Sequence, residues 1–178
     1  MTLRQRLRAQ AYRVAYGIPT RWRRVLVRIV MPKFIVGAVV LVFDADARAA
    51  GTGPGRILLQ RQPPGHGWSI PGGLLGRGER PRVGAARELF EEAGVRVDPH
   101  DLTAMNPNVI VHSAGRWIDC VFEATVPADT PFTVDGGEVL EAAWYRLDAL
   151  PPMTIPTAKL LAHYGIGPYV DYPETRED

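Results

Sequence analysis

Ten consecutive residues near the start of the chain carry no charge, and they constrain the fold more than any other segment. Residues 34–43 read FIVGAVVLVF and are rich in β-branched side chains. Such side chains favour strands, and a strand without polar alternation is too apolar to expose either face to water. The sequence therefore predicts a central strand that is covered on both faces.

Further strands and one helix follow from the hydrophobic pattern downstream. A loop over residues 44–55 is expected to lead into a second strand that pairs back onto the first. Residues 108–113 and 116–125 alternate around Ala114-Gly115, which is a hairpin signal. Along the second of these strands Trp117 and Asp119 share one face, where a ligand or solvent could lie. The predicted elements are strands at 56–61, 95–97, 108–113, 116–125 and 142–147 and a helix at 155–164.

The 23 residues from Gly73 to Val95 combine a glycine-rich loop with a helix. They read GLLGRGERPRVGAARELFEEAGV. The loop glycines can adopt backbone angles closed to other residues, and Pro81 suits the first turn of a helix, where its missing N–H is not needed. Gly94 can end the helix in the left-handed conformation. We therefore predict a helix over residues 81–93.

Three glutamates fall on one face of this predicted helix. Glu88 and Glu91 are related by i,i+3, and Glu88 and Glu92 by i,i+4, so their carboxylates repel one another by a few tenths of a kcal/mol per pair. A hard divalent cation would stabilise them, and oxygen ligands of this kind suit Mg²⁺ or Mn²⁺. Arg87, i,i+4 from Glu91, is placed to orient or neutralise one carboxylate. A solvated acidic helix face is the structural alternative.

The same stretch matches the Nudix box at every defined position, and nine specified positions at fixed spacing are a specific signal. The matching residues are Gly73, Glu79, Arg87, Glu88, Leu89, Glu91, Glu92, Gly94 and Val95. The preceding residues, from Trp68 to Gly73, read Trp-x-x-Pro-Gly-Gly, which is also common in Nudix hydrolases. The chain thus resembles the Nudix hydrolase family.

This resemblance implies a fold and an activity. The fold is α/β (α+β), an α/β/α sandwich around a mixed β-sheet, here over residues 33–168. The activity is Mg²⁺-dependent cleavage, by water attack on phosphorus, of a nucleoside diphosphate linked to another moiety. The substrate class stays open, because the markers of three subfamilies are not met. Two alternatives are a catalytically silent module that senses a nucleotide and a pyrophosphohydrolase acting on RNA 5′ ends.

The resemblance also implies roles for particular residues. Glu91 and Glu92 are the main metal ligands, and Glu88 is a further ligand or the general base. Arg87 orients the carboxylates. In this family the backbone carbonyl at the position of Gly72 often coordinates a metal. Glu79 either supports the metal ligands or is itself linked to the metal.

Candidate residues outside the box are less strongly specified. Some relatives take their general base from a loop before a late tryptophan strand, and Glu138, six residues before Trp144, is the candidate here, with Glu141 second. A loop carboxylate of this kind can equally be a solvated turn residue. The candidate substrate-binding residues are Trp68, Trp117 and Asp119. Trp68 is also suited to bracing the loop as a core aromatic. A structural role is expected for His112.

The first 32 residues differ in charge from the rest of the chain. Nine basic residues precede position 35 and the first acidic residue is Asp44, which leaves 12 basic against 19 acidic residues elsewhere. Helices are predicted at 3–16 and 21–31, and Leu7, Ala11, Val14 and Ala15 could form an apolar stripe. Three interpretations remain open: a helical extension packed on the domain or on a second subunit of a homodimer, a basic surface for RNA or anionic lipid, and a cleaved targeting peptide.

Composition sets the remaining expectations. A chain of 178 residues suits one domain with a proper core. The single cysteine, Cys120, rules out an internal disulfide and fits a reducing compartment, so we expect a cytoplasmic protein. No transmembrane span is expected, because Arg28, Pro32 and Lys33 interrupt the most apolar run. Residues 169–178 are expected to form a loosely ordered acidic tail.

Overall fold

A computed structural model describes residues 2–31, 33–45, 55–112, 116–134 and 136–171. The chain divides into two units, Met1–Phe34 and Ile35–Asp178. The predicted acidic tail lies outside the described residues from position 172 onward.

The first unit contains two helices, α1 (Leu3–Gly17) and α2 (Thr20–Val30). Both were predicted, and the break between them falls at Ile18 and Pro19, which take extended backbone angles. The predicted stripe of Leu7, Ala11, Val14 and Ala15 lies on α1, but these side chains are outside the described part of the structure. No helix among the described residues is long and apolar enough to cross a bilayer.

The second unit is built around strand β1 (Ile35–Asp44), which is buried from Gly37 to Asp44. On one side β1 pairs in parallel with β6 (Trp117–Val126) along its whole length. On the other side it pairs antiparallel with β2 (Arg56–Arg61) and with β4 (Gly72–Leu74). The predicted central strand is therefore confirmed.

Three more strands complete a seven-stranded mixed sheet. They are β3 (Trp68–Ser69), β5 (Thr103–Val111) and β7 (Glu141–Arg146), and the main strand order is β3-β2-β1-β6-β5, with β4 on β1 and β7 on β2. The predicted strand at 95–97 is wrong. Val95 instead places its side chain in the core beneath the sheet without pairing in a ladder.

Helices cover both faces of the sheet. On one face, α3 (Pro81–Ala93) packs against alternate residues of β1, and its core side chains are Ala85, Ala86, Leu89 and Ala93. On the other face, α4 (Ile155–Ala162) contributes Leu160 and Leu161 to a second cluster with Val39, Leu41 and Phe43. This arrangement confirms the predicted α/β/α sandwich. It also explains why β1 has no polar face.

Candidate functional site

Strand β4 lies against the middle of α3. Gly72 and Gly73 pair with Val39 and Ala38 of β1. A Cβ atom at Gly73 would lie 2.5 to 2.6 Å from the carboxyl atoms of Glu88. The absence of a side chain at position 73 therefore lets the Glu88 carboxylate lie directly against the backbone of β4.

Arg87 holds three of the carboxylates. Its Nε and Nη2 atoms donate to the two oxygens of Glu79, each at 2.9 Å, and its Nη1 donates to Glu88 and to Glu91, each at 2.8 Å. Nη2 also donates to the Leu74 carbonyl at 3.1 Å. The Arg87 hydrogen bonds, with one from the Gly76 N–H, lower the pKa of Glu79 to about 2. The sequence predicted one carboxylate partner for Arg87, and the structure gives it three.

Glu92 lies apart from this cluster and is nearly inaccessible, with 6% of its surface exposed. One carboxyl oxygen accepts from the Gly72 N–H at 2.7 Å and the other from Gln62 Nε2 at 2.8 Å. Burial raises the pKa of Glu92 to about 7; the Gln60 amide and the Gly72 N–H oppose this shift, and the charge of Glu88 adds to it. The hydrogen bonds to Glu92 therefore do not fully offset the cost of burying its negative charge.

Gln60 of β2 is a second buried polar side chain beside Glu92. Its side chain is fully buried, and neither amide atom makes a hydrogen bond of acceptable geometry among the described residues. The amide is nevertheless near enough to Glu92 to lower the pKa of that carboxyl, so these two buried polar side chains face each other.

The donor set fits a cation that keeps much of its water. Glu88 and Glu92 are close enough for the charge of one to raise the pKa of the other. Glu79, Glu88 and Glu91 all accept from Arg87, and across the described part of the chain no group of three or more His, Cys, Asp or Glu side chains is placed to hold a metal ion. Mg²⁺ is usually bound by one or two carboxylates together with waters and substrate phosphates. Two carboxylates therefore suffice for this cation.

A cavity of about 400 Å³ adjoins β4. Its wall consists of Val39, Gly72, Gly73, His112, Trp117, Asp119 and Pro156. Gly72 and Gly73 thus contact the box carboxylates and also line the cavity. The predicted substrate-binding residues Trp117 and Asp119 lie here.

The polar part of this cavity is a three-residue network. Asp119 accepts from Trp117 Nε1 at 2.7 Å and pairs with His112 Nε2 at 2.6 Å. A Cβ atom at Gly37 would lie 2.6 Å from the Asp119 carboxyl, so glycine at this position makes room for the network. His112 was not predicted to line the cavity. The signal available was its place at the end of the predicted hairpin strand, across from Trp117.

Three predicted residues lie elsewhere. Trp68 packs edge-on against Tyr145, with ring centroids 4.7 Å apart, and it is not among the residues that line the cavity. Glu138 lies in an exposed part of the loop before β7. Glu141, the second base candidate, pairs with Arg61 at 2.8 Å. The structure brings the box residues together with Trp117 and Asp119.

Comparisons with known proteins agree with this architecture. A family model described as NUDIX domain matches residues 33–164. A MutT-like protein of Streptomyces ambofaciens is 43% identical over 54 residues, which are 30% of this chain and 35% of that protein. The chain therefore matches about a third of the length of this curated relative.

Solved structures share the fold. The crystal structure of a MutT/nudix family protein from Enterococcus faecalis aligns with a TM-score of 0.55 at 17% identity, over 83% of this chain and 52% of that one. A MutT NUDIX hydrolase from Burkholderia pseudomallei aligns with a TM-score of 0.55 at 24% identity, over 71% of this chain and 94% of that one. The predicted homodimer, the predicted contacts of residues 1–32 and the cytoplasmic location stay predictions.

Proposed function

Because this chain belongs to the NUDIX family of hydrolases, which act on phosphorus-containing anhydrides, we propose that it is a Mg²⁺-dependent nucleotide pyrophosphohydrolase. In this proposal it cleaves the phosphoanhydride bond of a nucleoside diphosphate linked to another moiety, by water attack on phosphorus. The observation that carries the proposal is the position of Gly72 and Gly73 in β4. These two residues contact Glu92 and Glu88 and also line the cavity, so the phosphates and the rest of a nucleotide would each have a place.

Glu91 and Glu92 would be the main ligands of the cation, with the Gly72 carbonyl as a backbone ligand and Glu88 as a further ligand or the base. Glu79 would take part from the Arg87 side. When bound, Mg²⁺ or Mn²⁺ neutralises phosphate oxygens and lowers the pKa of a bound water. The burial of Glu92, whose charge its hydrogen bonds do not fully offset, supports a cation at this place.

The protein's own residues would position this chemistry. Arg87 fixes Glu79, Glu88 and Glu91 at the same time, which limits the rotamers that the carboxylates can adopt. A carboxylate must also remove a proton from the attacking water. Glu88, which lies against the Gly73 backbone, is one candidate for this base. The exposed loop residue Glu138 is the other.

The cavity would bind the part of the substrate that is not phosphate. Its lining is mainly apolar, which suits a ring system, and Trp117 offers an aromatic surface beside it. Both carboxyl oxygens of Asp119 are already engaged by Trp117 and His112. Asp119 would therefore fix the two rings that meet the substrate. Trp68 would act at a distance, by bracing the loop that leads to Gly72.

The proposal is tested by phosphate or pyrophosphate release from a panel of nucleoside triphosphates, oxidised guanine nucleotides, nucleotide sugars, ADP-ribose and dinucleotide polyphosphates, with Mg²⁺ and with chelator. Glu92→Gln and Glu88→Gln are the test variants. Asp148→Asn is the matched control, since it makes the same change at an exposed carboxylate paired with Arg146.

We expect metal-dependent turnover of one substrate class, retained by the control and reduced at least about a hundredfold in each test variant. Turnover that persists in chelator, or that survives both glutamine substitutions, would refute the assignment. Nucleotide binding without turnover of any compound would favour the sensing module instead.

A further inference from the structure

Helix α2 carries an apolar face that no other described residue of its own unit covers. Trp22, Val25, Leu26 and Ile29 are spaced i, i+3, i+4 and i+7, so they form one stripe along the helix. Their exposed fractions are 57%, 43%, 47% and 74%, and no residue of α2 is buried. Contiguous exposed apolar side chains commonly mark an interaction surface.

The other side of α2 carries four arginines, with Val27 among them. Arg21, Arg24 and Arg28 repeat at i, i+3 and i+7, and Arg23 lies at the flank. Four more arginines occur on α1, at positions 4, 6, 8 and 13, and no acidic residue precedes Asp44. The positive charge of this unit is therefore not balanced within the unit itself.

We propose that α2 docks the protein onto an anionic lipid surface. The helix has 11 residues and is about 16 Å long, so it cannot span a bilayer and would lie in the interface. Its aliphatic stripe would enter the acyl boundary, Trp22 would sit at the level of the head groups, and the arginines would meet lipid phosphates.

The two faces together favour lipid over other partners. RNA would use the arginines and could stack on Trp22, but it has no use for Val25, Leu26 and Ile29 as one continuous stripe. A second copy of the helix could cover the stripe, but it would leave the arginines of both copies without a negative partner, since no acidic residue precedes Asp44. An anionic bilayer satisfies the apolar and the basic face at the same time.

The test uses the full-length protein and co-sedimentation with phosphatidylcholine vesicles, with and without phosphatidylglycerol. The double variant Leu26→Ser/Ile29→Ser removes the stripe. Val27→Ser is the matched control, because Val27 is similarly exposed, at 49%, but lies on the basic side of the helix. A second double variant, Arg24→Gln/Arg28→Gln, reduces the charge and keeps the stripe.

We expect binding only to vesicles that contain phosphatidylglycerol, weakened at least about tenfold by Leu26→Ser/Ile29→Ser and unchanged by Val27→Ser. The arginine double variant should lose about thirtyfold, and added salt should weaken the wild type in the same direction. On vesicle binding, the tryptophan emission should shift to the blue, and the shift should be lost in Trp22→Phe.

Three results would overturn the proposal. The first is no binding to anionic vesicles, which would mean that the stripe is covered by this chain or by a second copy. The second is vesicle binding that Leu26→Ser/Ile29→Ser leaves unchanged. The third is binding to single-stranded RNA in preference to vesicles, with an affinity that the serine substitutions do not alter.

Discussion

Replacing Glu92 by glutamine is expected to stabilise the metal-free protein at alkaline pH and to destabilise it slightly at acidic pH. Burial raises the pKa of Glu92 from 4.5 to about 7. Between these two values the native protein holds a proton that the unfolded chain has released. Wild-type stability therefore falls as the pH rises through this window, and above pH 7 the native state bears the full cost of the buried charge.

The size of this effect follows from the shift. A rise from 4.5 to about 7 corresponds to about 3 kcal/mol of stability lost by the wild type between acidic and alkaline pH. Solvent screening reduces it little, because the side chain is only 6% exposed. Glutamine offers one acceptor instead of two, so the hydrogen bond from Gln62 is weakened at a cost of about 1 kcal/mol. The variant should then be more stable by about 2 kcal/mol above pH 8, and the two stability curves should cross near about pH 5 to 6.

Urea denaturation in the presence of chelator, at several pH values, measures this difference. Asp101→Asn, at an exposed carboxylate, is the control and should follow the wild-type curve. Curves for wild type and Glu92→Gln that stay parallel across the pH range would refute the argument. Added Mg²⁺ should then stabilise the wild type and leave Glu92→Gln nearly unchanged, because a cation that binds only the native state raises its stability.

Three other substitutions test the geometry of the site by steady-state kinetics. Gly73→Ala should lower kcat at least about tenfold with a folded circular dichroism spectrum, since its Cβ would lie 2.5 Å from the Glu88 carboxyl; normal activity would contradict the contact. Arg87→Lys should lower kcat by about a hundredfold, because an ammonium group cannot reproduce the fork that binds three carboxylates, and a smaller loss than in Arg87→Ala is the internal check. Asp119→Asn should raise KM about tenfold with a smaller change in kcat, by releasing both rings that it holds, and an unchanged KM would remove the cavity from substrate binding.

Much of the fold could be predicted because local signals agree with tertiary ones. Helix α3 begins at Pro81 and ends before Gly94, as predicted, because proline at the first turn and glycine at φ 71° set both ends within the sequence itself. The central strand was predictable because ten uncharged residues allow few other environments. The strand proposed at 95–97 failed because its apolar residues serve the core without a neighbouring edge to pair with, and pairing partners are set by the whole sheet.

The site was predictable in its residues and less so in its contacts. The spacing of Glu88, Glu91 and Glu92 places them on one helix face, but it does not show that Glu91 turns to Arg87 while Glu92 is buried. Which glutamate pairs with Arg87 and which is buried depends on the position of β4. His112 was not predicted at the cavity, because its approach to Asp119 depends on the pairing of β5 with β6 and on the space left at Gly37.

The charge of the site also sets the order in which it can be filled. Arg87, its three carboxylate partners and the neighbouring Glu92 carry a net charge of −3 when every group is ionised, and −2 when Glu92 keeps its proton. A free polyphosphate approaching such a place meets repulsion. We therefore expect nucleotides to arrive together with divalent ions or after them, and initial rates measured at varied metal and nucleotide concentrations would show free nucleotide as a poor competitor. One arginine does not neutralise four carboxylates, so the divalent ions that accompany the substrate would supply the missing positive charge.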